Sequence, residues 1–183
     1  TKQLVEGLLL VRPDWQIEVL AEKAPGLTEY RENNLLVSRV WARNNLASLW
    51  TLLSLVKQQK PKTLLVSLEG FMFGGWGNLA VFLLGLVWLK FFGIRIVIIL
   101  HQVVDFLEFG KHPINYLFST LNWVFLQILK IVAVKIIVFE EELKRRFGKI
   151  NRVEVLPHLI PMVEKVDQQV AKKHLDLNLQ EEY

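Results

Sequence analysis

Two polar side chains, His101 and Gln102, directly follow the apolar run IVIIL at residues 96–100. A short run rich in β-branched residues is typical of a buried strand in a parallel sheet, and ligands bind at the carboxyl ends of such strands. The imidazole of His101 can both donate and accept hydrogen bonds there. We therefore predict a ligand site at this strand end, with Asp105, in the polar loop that follows, as a further candidate.

A glycine-rich loop at residues 69–77 follows a second apolar run, TLLVSL at residues 63–68. Glycine allows positive φ angles and lets the backbone approach a ligand closely. The loop lacks the GxGxxG spacing and the Lys-Ser/Thr ending of a phosphate loop, so a flexible strand-to-helix turn explains it equally well. We name four of its residues as candidate substrate contacts: Glu69, Gly70, Gly74 and Gly75.

Short apolar runs alternate with helix-length segments along most of the chain. This alternation indicates βαβ units, and it predicts an α/β fold with a Rossmann-like parallel sheet flanked by helices. The predicted strands cover residues 15–20, 35–41, 63–68, 95–100, 134–139 and 152–156. The predicted helices cover residues 1–10, 78–92, 114–131, 140–146 and 164–175, with one more that starts at Asn44 or Asn45 and stops before Pro61.

Composition narrows the class of protein. The 183 residues are 52% hydrophobic, which suits one domain with a substantial core. The net charge of +4 comes from scattered basic residues, a pattern that suits an anionic membrane surface or a phosphorylated substrate at least as well as nucleic acid. We predict no nucleic-acid partner. The absence of cysteine excludes disulfides and thiolate metal sites, and we predict no metal.

The chain starts with Thr1, inside what looks like an amphipathic helix with Leu4, Val5, Leu8 and Leu9 on one side. This beginning does not resemble a secretory signal. We therefore expect a fragment that enters a longer protein at a helix whose preceding strand is missing.

Two stretches, residues 78–100 and 116–139, are apolar enough to suggest membrane spans. Each contains two basic residues, and one near the centre of a span costs about 2.5–3.5 kcal/mol. We prefer a helix up to residue 92, a break at Gly93 and then a strand. The many aromatic residues leave two interpretations open, core packing or a monotopic surface on the inner leaflet, with packing favoured for residues 79–89.

Two segments carry a resemblance to a known family. VKIIVFEEELKRRFGKINRVEVLPHLIP, residues 134–161, resembles the end of the amino-terminal domain of GT-B glycosyltransferases of family 4. In that family a strand, a helix opening with Ser-Glu and carrying Leu-Lys, and a strand ending in Ile-Pro-His-Gly-Ile follow one another. GIRIVIILHQVV, residues 93–104, is similar to the family strand that ends in Thr-Leu-His. Two positions depart from the pattern, Glu140 in place of Ser and Leu159 in place of Gly.

The resemblance implies a retaining, hexosyltransferase-like enzyme that moves a sugar from a nucleotide-sugar donor to a glycan or lipid-linked acceptor. It needs no cofactor. Residues 1–161 would form the acceptor-side domain, and residues 162–183 the linker and the start of a truncated donor-binding domain, so the chain alone would be inactive. We expect a cytoplasmic protein, peripheral on the inner face of the cell membrane.

Roles for individual residues also come from the resemblance. His101 would bond a hydroxyl of the transferred sugar, while Glu69, Gly70, Gly74, Gly75, Gln102 and Asp105 would contact substrate and His158 would shape the hinge. Two other classes stay open: a non-catalytic protein that is membrane-associated or integral, and a nucleotide- or sugar-binding regulatory module.

Overall fold

The computed structural model describes residues 2–26, 29–69, 72–103, 110 and 112–156. Within these ranges the helices are α1 (Lys2–Val11), α2 (Leu46–Gln59), α3 (Trp76–Phe91), α4 (Pro113–Val132) and α5 (Glu141–Phe147). The strands are β1 (Ile17–Glu22), β2 (Tyr30–Glu32), β3 (Leu35–Trp41), β4 (Thr63–Leu68), β5 (Arg95–Leu100), β6 (Lys135–Val138) and β7 (Val153–Val155).

Four strands form a parallel sheet in the order β4-β5-β6-β7, with helices in the connections between them. This confirms the predicted α/β class and the parallel sheet flanked by helices. The register is even, because Leu68 pairs with Leu100, Leu100 with Val138, and Val138 with Val155. The carboxyl ends of all four strands therefore lie level with one another. The residues that directly follow these strand ends lie along one edge of the sheet, which we call the rim.

The three remaining strands form a separate sheet. In this respect the structure differs from the prediction of one parallel sheet. Here β3 lies between β1, which is parallel to it, and β2, which is antiparallel. The sequence analysis missed β2 because its three residues are all exposed, so they carry no burial pattern that would indicate a strand.

The two sheets lie side by side and are connected at both strand ends. Near the strand starts, the Gln59 side chain donates to Glu18 of β1 over 2.8 Å. Near the strand ends, the amide of Asn44 donates to the carbonyl of Phe73 over 3.0 Å. The Trp41 ring of β3 lies 4.9 Å from that of Phe73 and belongs to the same hydrophobic core as β4 to β7.

Residues 78–100 are a helix followed by a strand, as predicted. Helix α3 ends at Phe91, Gly93 has a φ of +80°, and β5 begins at Arg95. The left-handed conformation at Gly93 is one that glycine adopts without steric cost. In the part of the chain that the structure describes, no helix has the length and apolarity needed to cross a bilayer.

Much of the aromatic content of α2 and α3 packs between helices. The rings of Trp50 and Trp88 stack with centroids 5.4 Å apart, and the ammonium of Lys57 lies 4.8 Å from the Trp88 centroid. Trp76 stacks on Phe118 of α4 at 5.8 Å. Within residues 79–89, the buried Phe82 and the stacked Trp88 support packing, whereas Phe91 at the end of α3 is exposed.

Candidate functional site

His101 lies at the rim, one residue beyond β5, and it is held from the backbone and from the ring. Its amide donates to the carbonyl of Leu68 over 3.1 Å, which extends the pairing of β4 with β5 by one residue. Its Nε2 atom lies 2.9 Å from the hydroxyl oxygen of Ser67. The ring is therefore positioned by strand pairing and by a side chain that sequence reasoning did not single out.

Two further groups surround His101 on the side of β6. Its ring lies 5.1 Å from the Phe139 ring, which follows β6 directly. Arg146, in the last turn of α5, donates to the carbonyl of Val103 over 3.3 Å. Helix α5 carries acidic residues in its first turn and basic residues in its last turn, which complements the helix dipole. Arg146 additionally connects α5 to the backbone that follows His101.

The glycine loop after β4 is attached to the loop after β3. Arg43 Nε donates to the carbonyl of Met72 over 3.2 Å, and Asn78 donates to the carbonyl of Phe73 over 2.9 Å. Gly74 has a φ of +106°, and a Cβ atom there would overlap the side chain of Asn44. The positive φ favours glycine at 74, and this is one of the two roles that the sequence analysis gave to the glycines of this loop.

Gly75 has a structural role of its own, because it is the N-cap residue of α3 with an extended backbone. Helix α2 is capped differently, since the Asn45 side chain accepts a bond from the Ser48 amide over 3.0 Å. This settles the choice between Asn44 and Asn45 as the cap. Asn44 instead has a φ of +58°, a left-handed conformation that asparagine tolerates better than most residues.

The predicted site residues fall into three groups. Glu69 and His101 lie on adjacent strand ends, since Glu69 follows the residue whose carbonyl bonds His101, and Gln102 is exposed beside them. Gly74 and Gly75 lie farther along the loop, near the end of β3. Gly70, Asp105 and His158 lie outside the described residues, as do the predicted helix at 164–175 and the predicted linker at 162–183.

Sequence reasoning missed three residues that shape this rim: Ser67, Arg43 and Asn44. Ser67 had a detectable signal, because it is a polar residue inside an otherwise apolar run that ends beside the predicted site. Arg43 and Asn44 had none, since their contacts with residues 72 and 73 span a long stretch of sequence.

The rim offers an imidazole, an exposed carboxylate at Glu69 and an exposed amide at Gln102. These groups hydrogen-bond hydroxyl-rich ligands well. The described residues hold no group of three or more His, Cys, Asp or Glu that could bind a metal ion.

A cavity of about 490 Å³ lies away from this rim, between α2 and the sheet of β1 and β3. Two carboxylates line it, Glu18 and Glu29, and Glu18 already accepts bonds from Ser38 and Gln59 over 3.0 and 2.8 Å. The cavity is therefore best explained as a polar gap between α2 and the sheet. The rim beside His101 is the stronger candidate for chemistry.

No protein-family model matches the chain, and a search of curated proteins finds no significant relative.

Proposed function

We propose that this chain is the acceptor-side part of a glycosyltransferase of the GT-B type. The reaction would move a hexose from a nucleotide-sugar donor to a glycan or lipid-linked acceptor. The observation that carries the proposal is the position of His101, one residue beyond β5 of a parallel sheet and held by Ser67 on the neighbouring strand. This is the strand end at which open parallel sheets bind ligands.

The proposed chemistry requires placement more than it requires a protein nucleophile. The nucleoside diphosphate would depart from the face that the acceptor attacks, through a transition state with oxocarbenium character. The imidazole of His101 would bond a hydroxyl of the transferred sugar, while Ser67 keeps the ring oriented. Orientation of this kind and charge stabilisation supply most of the rate in such reactions.

Glu69 would act on the acceptor. It lies one residue beyond β4, next to the strand end that carries His101, and its side chain is exposed. A carboxylate there can accept a bond from an acceptor hydroxyl. The backbone of Gly74 and Gly75 would approach the acceptor from the side of β3. The donor nucleotide would bind mainly to a second domain.

The test replaces His101 by Ala in the full-length natural protein and measures release of nucleoside diphosphate from a panel of nucleotide sugars. We expect turnover to fall by a factor of about 10² to 10⁴. His112→Ala is the matched control, because His112 is an exposed residue at the start of α4. An unchanged rate in His101→Ala would remove this residue from the site. A wild-type protein that transfers no sugar would instead favour the non-catalytic, membrane-associated class.

The contact between Ser67 and His101 also favours a second candidate, a hydrolase, because a serine beside an imidazole can act as a nucleophile. Ser67 lies inside β4, however, and not on the sharp turn that exposes a typical nucleophilic serine. Labelling by a fluorophosphonate probe separates the two candidates. Modification of Ser67 in the folded protein would support the hydrolase, and we expect none.

A further inference from the structure

Helix α4 is mostly apolar on the side that faces away from the core, with Thr120 and Gln127 as its polar residues. Its inner side is buried through Phe125, Leu126, Leu129 and Val132. A surface helix of a globular protein normally presents polar residues on the opposite side. Here the opposite side, which we call the α4 outer face, carries the exposed side chains Tyr116, Leu117, Trp123, Val124 and Ile131.

The arrangement of these side chains is regular. Leu117, Val124 and Ile131 are seven residues apart, so they line one stripe along the helix, and they are 58%, 41% and 62% exposed. Tyr116 and Trp123, 51% and 61% exposed, line a second stripe, and Thr120 and Gln127 lie between the two stripes. Exposed apolar residues clustered on one side of a helix mark an interaction site more often than scattered apolar residues do.

In the described segments 76–103 and 112–139, which include α4 and the elements next to it, every charged side chain is basic. Residues 76–103 and 112–139 contain no Asp or Glu, although the chain has 18 acidic residues. The Lys90 ammonium donates to the carbonyl of Ile131, which places it at the carboxyl end of the α4 outer face. Lys130 lies in the last turn of α4. Arg95 is exposed and begins β5. The next residue of β5, Ile96, accepts a bond at its carbonyl from the amide of Val134, just after α4, over 2.8 Å.

We propose that the α4 outer face docks on the surface of a bilayer that contains anionic lipid. The apolar stripe and the rings of Tyr116 and Trp123 would enter the boundary between headgroups and acyl chains, where such amphipathic rings are favoured. Lys90, Arg95 and Lys130 would meet lipid phosphates. This inference is independent of the proposed transferase activity.

The charges favour a bilayer over a second copy of the chain. A symmetric dimer through the α4 outer face would bring the same surface onto itself. That contact would place no acidic residue of the neighbouring helices against Lys90, Arg95 and Lys130, because residues 76–103 and 112–139 contain none. An anionic lipid surface supplies the missing negative charge.

The test is co-sedimentation of the protein with vesicles of phosphatidylcholine, alone or mixed with phosphatidylglycerol, without any sugar nucleotide. We expect binding to the mixed vesicles that weakens as salt is added. The variant Leu117→Glu with Val124→Glu should lower the partition coefficient about tenfold or more, because it removes apolar contact and adds negative charge. The matched control is Leu10→Glu with Val11→Glu, since these α1 residues are 84% and 78% exposed.

A second pair of variants tests the charges separately and does not alter the apolar stripe. Lys90→Gln with Arg95→Gln should weaken binding to mixed vesicles about tenfold or more. Lys23→Gln with Arg31→Gln removes the same two charge types from β2 and from the residue after β1, and it should leave binding near that of the wild type.

Three results would overturn the proposal. One is a wild-type protein that stays in the supernatant with both kinds of vesicle. Another is equal loss of binding in each variant and its control. The third combines three observations: the wild type is a dimer by light scattering, Leu117→Glu with Val124→Glu converts it to monomers, and no vesicle binding is detected. A second copy of the chain would then cover the α4 outer face. Circular dichroism of each variant confirms that it has folded.

Discussion

The hydroxyl oxygen of Ser67 lies 2.9 Å from Nε2 of His101, across two neighbouring strands and 34 residues of sequence. The His101 amide simultaneously donates to the carbonyl of Leu68. Backbone and side chain of this histidine are thus both bonded to β4, so its ring has a defined position at the rim before any ligand binds.

Ser67→Ala removes the side-chain half of this attachment. The variant should lose about 0.5–1.5 kcal/mol of unfolding free energy, the usual net value of one hydrogen bond. NMR of the imidazole nitrogens should show a more even mixture of the two tautomers. If His101 works in transfer, turnover of the full-length protein should fall about 2- to 10-fold, which is less than for His101→Ala. Ser67→Thr keeps the hydroxyl and should behave as wild type. Identical imidazole spectra for Ala and wild type would show that the contact does not orient the ring.

Gly74→Ser tests the conformation of the glycine loop. The new side chain would have to adopt a φ of +106° and would overlap Asn44. We expect a loss of about 1–3 kcal/mol in the free energy of urea unfolding. Gly75→Ser is the matched control, because a Cβ atom at this N-cap meets open space and its hydroxyl can cap α3. Equal stability of the two variants would contradict the described loop conformation.

Gly85→Ala tests the close packing of α3 on α2. A Cβ atom at Gly85 would overlap Leu53, whose side chain is fully buried and has little room to move. Overpacking of this kind costs about 1–3 kcal/mol, so we expect a lower melting temperature. Gly77→Ala, at an open position of the same helix, should gain up to about 1 kcal/mol from the higher helix propensity of alanine. A stabilised Gly85→Ala variant would mean that the two helices are farther apart.

Several element boundaries were predictable because their signals are local. Strands β3, β4 and β5 begin and end where the apolar runs do, and helix α2 ends at Gln59, two residues before Pro61. Other boundaries moved, since α3 begins at Trp76 and not at Asn78, and β1 covers Ile17–Glu22 where residues 15–20 were predicted. Helix and strand ends depend on caps and pairing partners as well as on composition.

Position 140 shows what the sequence could and could not predict about a helix end. The sequence analysis predicted a helix over residues 140–146, and Glu140 is the N-cap residue of α5, which begins at Glu141. Its side chain makes no capping bond to the helix. The residue type did not reveal that difference, because a bond depends on the rotamer that the surroundings permit.

The sequence by itself determined the order of the described helices and strands except for β2, and that His101 follows a strand directly. Hydrophobic periodicity and the breaks at Gly93 and Pro61 act over a few residues, so they can be read without a partner. Only the tertiary structure decided the common row of Leu68, Leu100 and Val138, the bond from Ser67 to His101, and the separation of the strands into two sheets. It also decided which side of α4 remains exposed. Each of these depends on groups far apart in sequence, and their pairing is set by the packing of the whole fold.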